Sequence, residues 1–180
     1  MVALILLPVL GCVSAARRGL PRPAPEMPRP LPERAPSPAG QGVGSATLEL
    51  ARSLIGSAYR YGGASPAGFD CSGLALYVFE RDGVALPRIT REQADYGIWV
   101  PLDELAPGDL VFFSEPGAAP HHVGIVASKP GEPLRMIHAS ASAGVVETAV
   151  LSSAYWLRRL RFGRRVRRSA RVEGEQSARC

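Results

Sequence analysis

Three cysteines and three histidines in this 180-residue sequence have the types needed for nucleophilic chemistry, and the four that fall within patterned sequence are Cys71, His121, His122 and His138. A thiol attacks as its thiolate, and a free cysteine with a pKa of ~8.5 is mostly protonated at neutral pH. Its pKa has to be lowered. The Gly/Pro/Ser-rich stretch SAYRYGGASPAGFD runs into a helical pattern from about Asp70 to Asp82-Gly83, so Cys71 opens a helix. The unpaired N–H groups and the dipole of a first helical turn favour negative charge. An imidazole within reach completes the activation by taking the proton.

All three histidines lie downstream, in strand-like sequence. In HHVGIV, alternation sends His122, Gly124 and Val126 to one face and Val123, Ile125 and Ala127 to the other, and Gly124 leaves space beside His122. The turn Lys129-Pro130-Gly131-Glu132 leads into MIHA. Folding this hairpin about residue 130 sets His138 opposite His122, where it can hold the far nitrogen of the base as a third member. A register one residue away, with His121 in place of His122, puts the base on the other face. A single internal Cys at a helix start with two His on adjacent downstream strands has the order of a papain-like site.

The elements that carry these residues are legible from pattern. Ser45 and Thr47 can cap a first helix whose Leu48, Ala51, Leu54 and Ile55 share one face before Gly56 stops it. Thr90-Arg91-Glu92-Gln93 reads as a capping box that opens a short helix running to about Gly97. After Pro107-Gly108-Asp109 come LVFF, HVGIVA, LRMIHA and VVETAV, four short β-rich runs separated by turn residues. Helices first and strands second argue for an α+β domain over residues 45–165, with helices packed on a mainly antiparallel sheet of five to six strands.

The flanks differ in texture. The apolar run MVALILLPVLG is too short to span a bilayer and is shaped like a signal-peptide core over residues 1–11, although no Lys or Arg precedes it. It ends at Cys12, and Val-Leu-Gly-Cys resembles a lipobox, in which Cys12 would carry a lipid and hold the protein on a membrane. Residues 12–44 are dominated by Pro, Arg, Ala and Gly, the composition of a semi-stiff tether. Formal net charge is +5, with arginines crowded between Arg158 and Arg179. That cluster reads as a solvated tail, assigned to 166–180, and no nucleic-acid binding is based on it. With Cys12 lipidated and Cys180 in the tail, three cysteines make no disulfide framework, and Cys71 is the thiol inside ordered sequence.

YRYGGASPAGFDCSGL, LPRITREQ, LAPGDLVFF, HVGIV and MIHAS, in that order, resemble the segments of the NlpC/p60 family of papain-like cell-wall cysteine peptidases, over about Ser45 to Phe162. The resemblance implies Cys71 as nucleophile, His122 as base and His138 as the polar third residue. It also implies Tyr59 near the thiolate, Asp70 and Ser72 holding the free amino end of a peptidoglycan stem peptide, and Arg91 as a further substrate contact. The reaction it implies is hydrolysis of the amide between D-glutamate and diaminopimelate through a thioester. No metal or organic cofactor is implied, and three His without spaced acidic or Cys partners make a poor zinc site. Two other readings stand beside it: an acyltransferase or amidase of the same fold, and a non-catalytic envelope lipoprotein that binds wall peptides. The composition does not define an oligomeric state.

Overall fold

The computed structural model describes residues 45–167. The signal sequence, Cys12, the linker to residue 44, most of the basic tail and Cys180 lie outside the described residues.

Helix α1 (Ser45–Ser53) is amphipathic as its pattern requires: Leu48 and Ala51 are buried, with Leu54 just past its end, whereas Ile55 is 44% exposed. The chain then turns at Gly56, whose φ of +92° suits glycine. Thr47 does not cap α1. Its hydroxyl donates to Asp82 Oδ2 at 2.8 Å, tying α1 to the end of the next helix. Two short paired strands, β1 (Ala64–Ser65) and β2 (Gly68–Phe69), precede α2 (Cys71–Arg81). Its buried Leu74, Ala75, Val78 and Phe79 form the centre of the larger core cluster.

The third helix departs from the capping-box reading. Helix α3 spans only Thr90–Gln93, and Ile89 occupies the N-cap position without a side-chain hydrogen bond. Gln93 is fully buried, and its amide donates to the carbonyls of Pro87 (2.8 Å) and Ser72 (3.0 Å) rather than folding back on the first turn. Tertiary partners therefore outcompete the local cap.

The main sheet has six strands: β3 (Ile98–Val100), β4 (Leu110–Phe113), β5 (His122–Val126), β6 (Arg135–Ser140), β7 (Gly144–Ala149) and β8 (Leu160–Arg165). Their order is β3-β8-β4-β5-β6-β7, antiparallel throughout. Every residue of β4 is buried because both faces of the sheet are covered. Leu110 and Phe112 join α1 and α2 in the larger cluster, whereas Val111 and Phe113 join Val126, Met136 and Val150 in the smaller one.

Register is where the hairpin reading needs correction. Ile125 pairs with Ile137 and Val126 with Met136, so the β5–β6 turn is centred on Gly131, at φ +83°, and not on residue 130. Extended along both strands, this register sets His138 across from Gly124 and makes it a diagonal neighbour of His122. A shift of two residues preserves faces, so the two histidines still share one side. The room left by Gly124 is taken by Met136, whose Sδ would stand 2.7 Å from a Cβ at that position.

The basic stretch also departs from expectation. Helix α4 (Ala154–Arg159) and β8 occupy the front of the arginine cluster, and β8 is an interior strand. Arg165 pairs with buried Asp109 at 2.8 and 2.9 Å, and Arg161 donates to the Ser114 carbonyl at 2.6 Å. Arg159 pairs with Glu115. These arginines pin strands to loops.

Candidate active site

Cys71 is the first residue of α2, and Asp70 caps that helix: its Oδ1 accepts the Gly73 N–H at 2.6 Å. Oδ2 accepts the Gly62 N–H at 3.0 Å, which draws the glycine-rich loop onto the helix start. Gly73 permits this approach, because the Gly63 carbonyl stands where a Cβ would be. Arg88 closes on the cap, reaching Asp70 Oδ2 at 2.7 Å, Oδ1 at 3.0 Å and the Ser72 hydroxyl at 3.0 Å. Burial pushes the Asp70 carboxyl up, but hydrogen bonds from Arg88 and Gly73 and the Arg88 charge outweigh it and hold the group below its ordinary value. The guanidinium is raised in return, chiefly by Asp70.

The thiol is partly buried. Among the described residues its Sγ meets Thr90 Oγ1 at 3.6 Å and the His121 carbonyl at 4.0 Å, and it makes no hydrogen bond to His122 in this conformation. Tyr59 lies beside it. Burial, followed by the charges of Cys71, Asp70 and Tyr61, raises that phenol's pKa, so it remains a donor at neutral pH.

The two strand histidines form a relay. His122 Nε2 and His138 Nδ1 are 2.9 Å apart, and His138 Nε2 lies 3.0 Å from Thr148 Oγ1. Burial lowers His122 to about 3, with smaller contributions from the charges of His138 and His121. Burial likewise lowers His138 to about 4. Both rings are therefore neutral at rest. The tautomer in which His122 Nε2–H donates to His138 Nδ1, and His138 Nε2–H donates to Thr148, leaves His122 Nδ1 as a lone-pair acceptor.

One cavity of about 580 Å³ gathers Tyr59, Cys71, His121, His122 and His138. Its remaining walls come from residues 139–143, Val146, Thr148, Ser153, Tyr155 and Trp156. Asp70, Ser72 and Arg91 do not line it. The polar atoms of Asp70 and Ser72 are turned to one another and to Arg88, and Arg91 is exposed on α3. Sequence reasoning missed Arg88, Thr90, Thr148 and Trp156. The first two stand in the LPRITREQ segment, beside Arg91. Thr148 and Trp156 reach the site only through strand register and helix packing, which no short motif records.

Residues 56–165 match the model of the NlpC/P60 family. The chain belongs to the NlpC/P60 family. NlpC of Escherichia coli strain K12, a probable endopeptidase, is 40% identical over 117 residues, covering 64% of this chain and 73% of that protein. The gamma-D-glutamyl-L-lysine dipeptidyl-peptidase of Bacillus subtilis strain 168 is 33% identical over 127 residues, covering 68% of this chain and 42% of the relative. The crystal structure of the NlpC/p60 domain of the peptidoglycan hydrolase SagA is similar with a TM-score of 0.56 and 30% identity, covering 67% of this chain and 97% of that one. The chain spans 31% of the length of the mycobacterial probable endopeptidases that it also matches. The NlpC/P60 match contains every residue of the cavity and all of β8, and it begins after α1.

Proposed function

We propose that the domain hydrolyses a peptidoglycan stem peptide at the amide between D-glutamate and diaminopimelate, with Cys71 as nucleophile and His122 as base. One observation carries the reading: a thiol at the first turn of α2 and a coupled imidazole pair on β5 and β6 open onto the same cavity. The name of the B. subtilis relative supports the bond, since it describes D-glutamate joined through its γ-carboxyl to a diamino acid.

In this reading, His122 Nδ1 takes the Sγ–H proton as sulfur bonds to the scissile carbonyl carbon and the carbonyl π pair moves onto oxygen. The Sγ–His122 hydrogen bond tightens as substrate binds. Donors for the oxyanion are the Cys71 N–H, which has no intrahelical partner in the first turn, and the Tyr59 hydroxyl. Collapse breaks the C–N bond, and His122 returns its proton to the leaving amine. Water then attacks the thioester, leaving its hydroxyl on the acyl carbon and returning a proton that restores the thiol. Burial leaves the resting base in its free, proton-accepting form, and the thiolate or oxyanion beside it offsets the cost of forming its cation during turnover.

His138 holds the relay in place. Asp70, Ser72 and Arg88 serve the site by fixing the first turn of α2. A direct hold on the amino end of the stem peptide would require Asp70 to release Arg88. Lipidated at Cys12 and tethered through residues 12–44, the protein would work at the cell envelope. Incorporation of labelled palmitate that Cys12→Ser abolishes is the expected sign of that anchor.

The bond is tested with the synthetic tripeptide L-Ala-γ-D-Glu-meso-diaminopimelate and product masses. Free diaminopimelate with L-Ala-D-Glu is expected. Cleavage at another amide, or an intact peptide, contradicts the assignment.

A further inference from the structure

We propose that Trp156 is a positioning residue for the base: its indole covers both histidines, keeps water from their shared hydrogen bond and steadies the imidazolium formed when Cys71 gives up its proton. The proposal rests on the peptidase reading for the identity of the base, while the packing stands by itself. The Trp156 and His122 ring centroids are 4.9 Å apart with planes inclined at 34°, and His138 lies 5.0 Å away at 78°. Phe113 closes the group edge-on, 5.0 Å from Trp156 and 6.1 Å from His122. A cation over an indole face is attracted by the ring quadrupole, and more strongly where water is excluded.

Nothing else in the relay compensates that charge. His138 ends on the neutral hydroxyl of Thr148, and no Asp, Glu, Lys or Arg is among the residues lining the cavity. The titratable groups that face it beside His122 are Tyr59, Cys71, His121, His138 and Tyr155. Besides the Cys71 thiolate itself, the indole face of Trp156 is the feature against His122 suited to a transient positive ring.

Arginines hold that face in position. Ser153 Oγ caps α4, accepting the backbone N–H of Trp156 at 3.5 Å. At its end, Arg159 pairs with Glu115 and lies 3.8 Å over the Tyr155 ring. Arg161 fastens the following strand to the Ser114 carbonyl and hydroxyl. The front of the basic stretch thus clamps the element that carries Trp156.

The test uses the full chain with Trp156→Leu and Trp156→Phe, with folding checked by circular dichroism and melting. Iodoacetamide alkylation of Cys71 is followed against pH at the peptide level, alongside tripeptide hydrolysis. In the leucine variant the imidazolium loses its aromatic face, the thiolate–imidazolium pair forms only at higher pH, and the acid limb of the alkylation profile moves up by about one pH unit or more. Hydrolysis falls about 30-fold, the equivalent of a desolvated cation–π contact. Phenylalanine gives a smaller shift in the same direction and carries the test alone if the leucine variant does not fold. An unmoved profile in a folded variant overturns the proposal, including when the rate drops equally at every pH. If the wild type cuts no peptide, the alkylation profile still decides the role of Trp156, and it is the peptidase reading that fails.

Discussion

The cavity joins a neutral imidazole pair to a thiol, and that pairing makes the fold sensitive to acid. His122 is lowered from 6.5 to about 3 and His138 from 6.5 to about 4, both chiefly by burial. Between those values the unfolded chain binds protons that the folded chain refuses. Stability is therefore full above about pH 6.5 and declines as pH falls, by roughly 1.4 kcal/mol per pH unit for each histidine well below that point. Asp70, lowered from 3.8, acts in the same sense only below about pH 4. Denaturant midpoints at pH 7, 5.5 and 4.5 are expected to fall more steeply for wild type than for His138→Asn. Equal slopes would mean that burial does not hold these rings neutral.

At the scale of elements, the parts that could be read from sequence were those whose local signals agree with their tertiary use. The start of α2 at Asp70-Cys71, the helical pattern that follows it and the four runs LVFF, HVGIVA, LRMIHA and VVETAV all form the elements that their residue types indicate. Thr90 and Gln93 misled because a fully buried glutamine donates to the Pro87 carbonyl just before its helix and to the Ser72 carbonyl on α2. Strand β8 was unreadable for a different reason. LRFGRR carries four long polar or small residues in six, and its arginines satisfy carbonyls and a carboxylate that only the assembled sheet brings close. The clearest consequence is at Arg165, whose partner Asp109 has only 4% of its side chain exposed. Arg165→Ala leaves that carboxylate buried without its cation and is expected to cost roughly 3 kcal/mol of unfolding free energy. Arg158→Ala, at an exposed position, is expected to change stability by less than about 0.5 kcal/mol. Similar losses in both variants would mean that the Arg165–Asp109 pair does not secure β8.

For the molecule as a whole, the α+β class and the antiparallel sheet were legible because helical and strand patterns are segregated along the chain. The candidate site was legible in part: the order of Cys71, His122 and His138 survives even a two-residue error in hairpin register, since faces repeat every second residue. Its walls were not, because Thr148 and Trp156 are joined to the histidines by packing across β7 and α4 rather than by spacing. The architecture supplies the logic of the proposed reaction. A helix start presents the thiol, the sheet presents the base, and a clamped short helix covers the base on its outer side. The claim that this assembly cuts peptidoglycan through Cys71 is tested most directly by digesting purified peptidoglycan with the wild type and with Cys71→Ala and weighing the released fragments by mass spectrometry. The account predicts stem-peptide fragments from the wild type and a loss of about 10³-fold or more in the folded variant. Equal release by both proteins would contradict it.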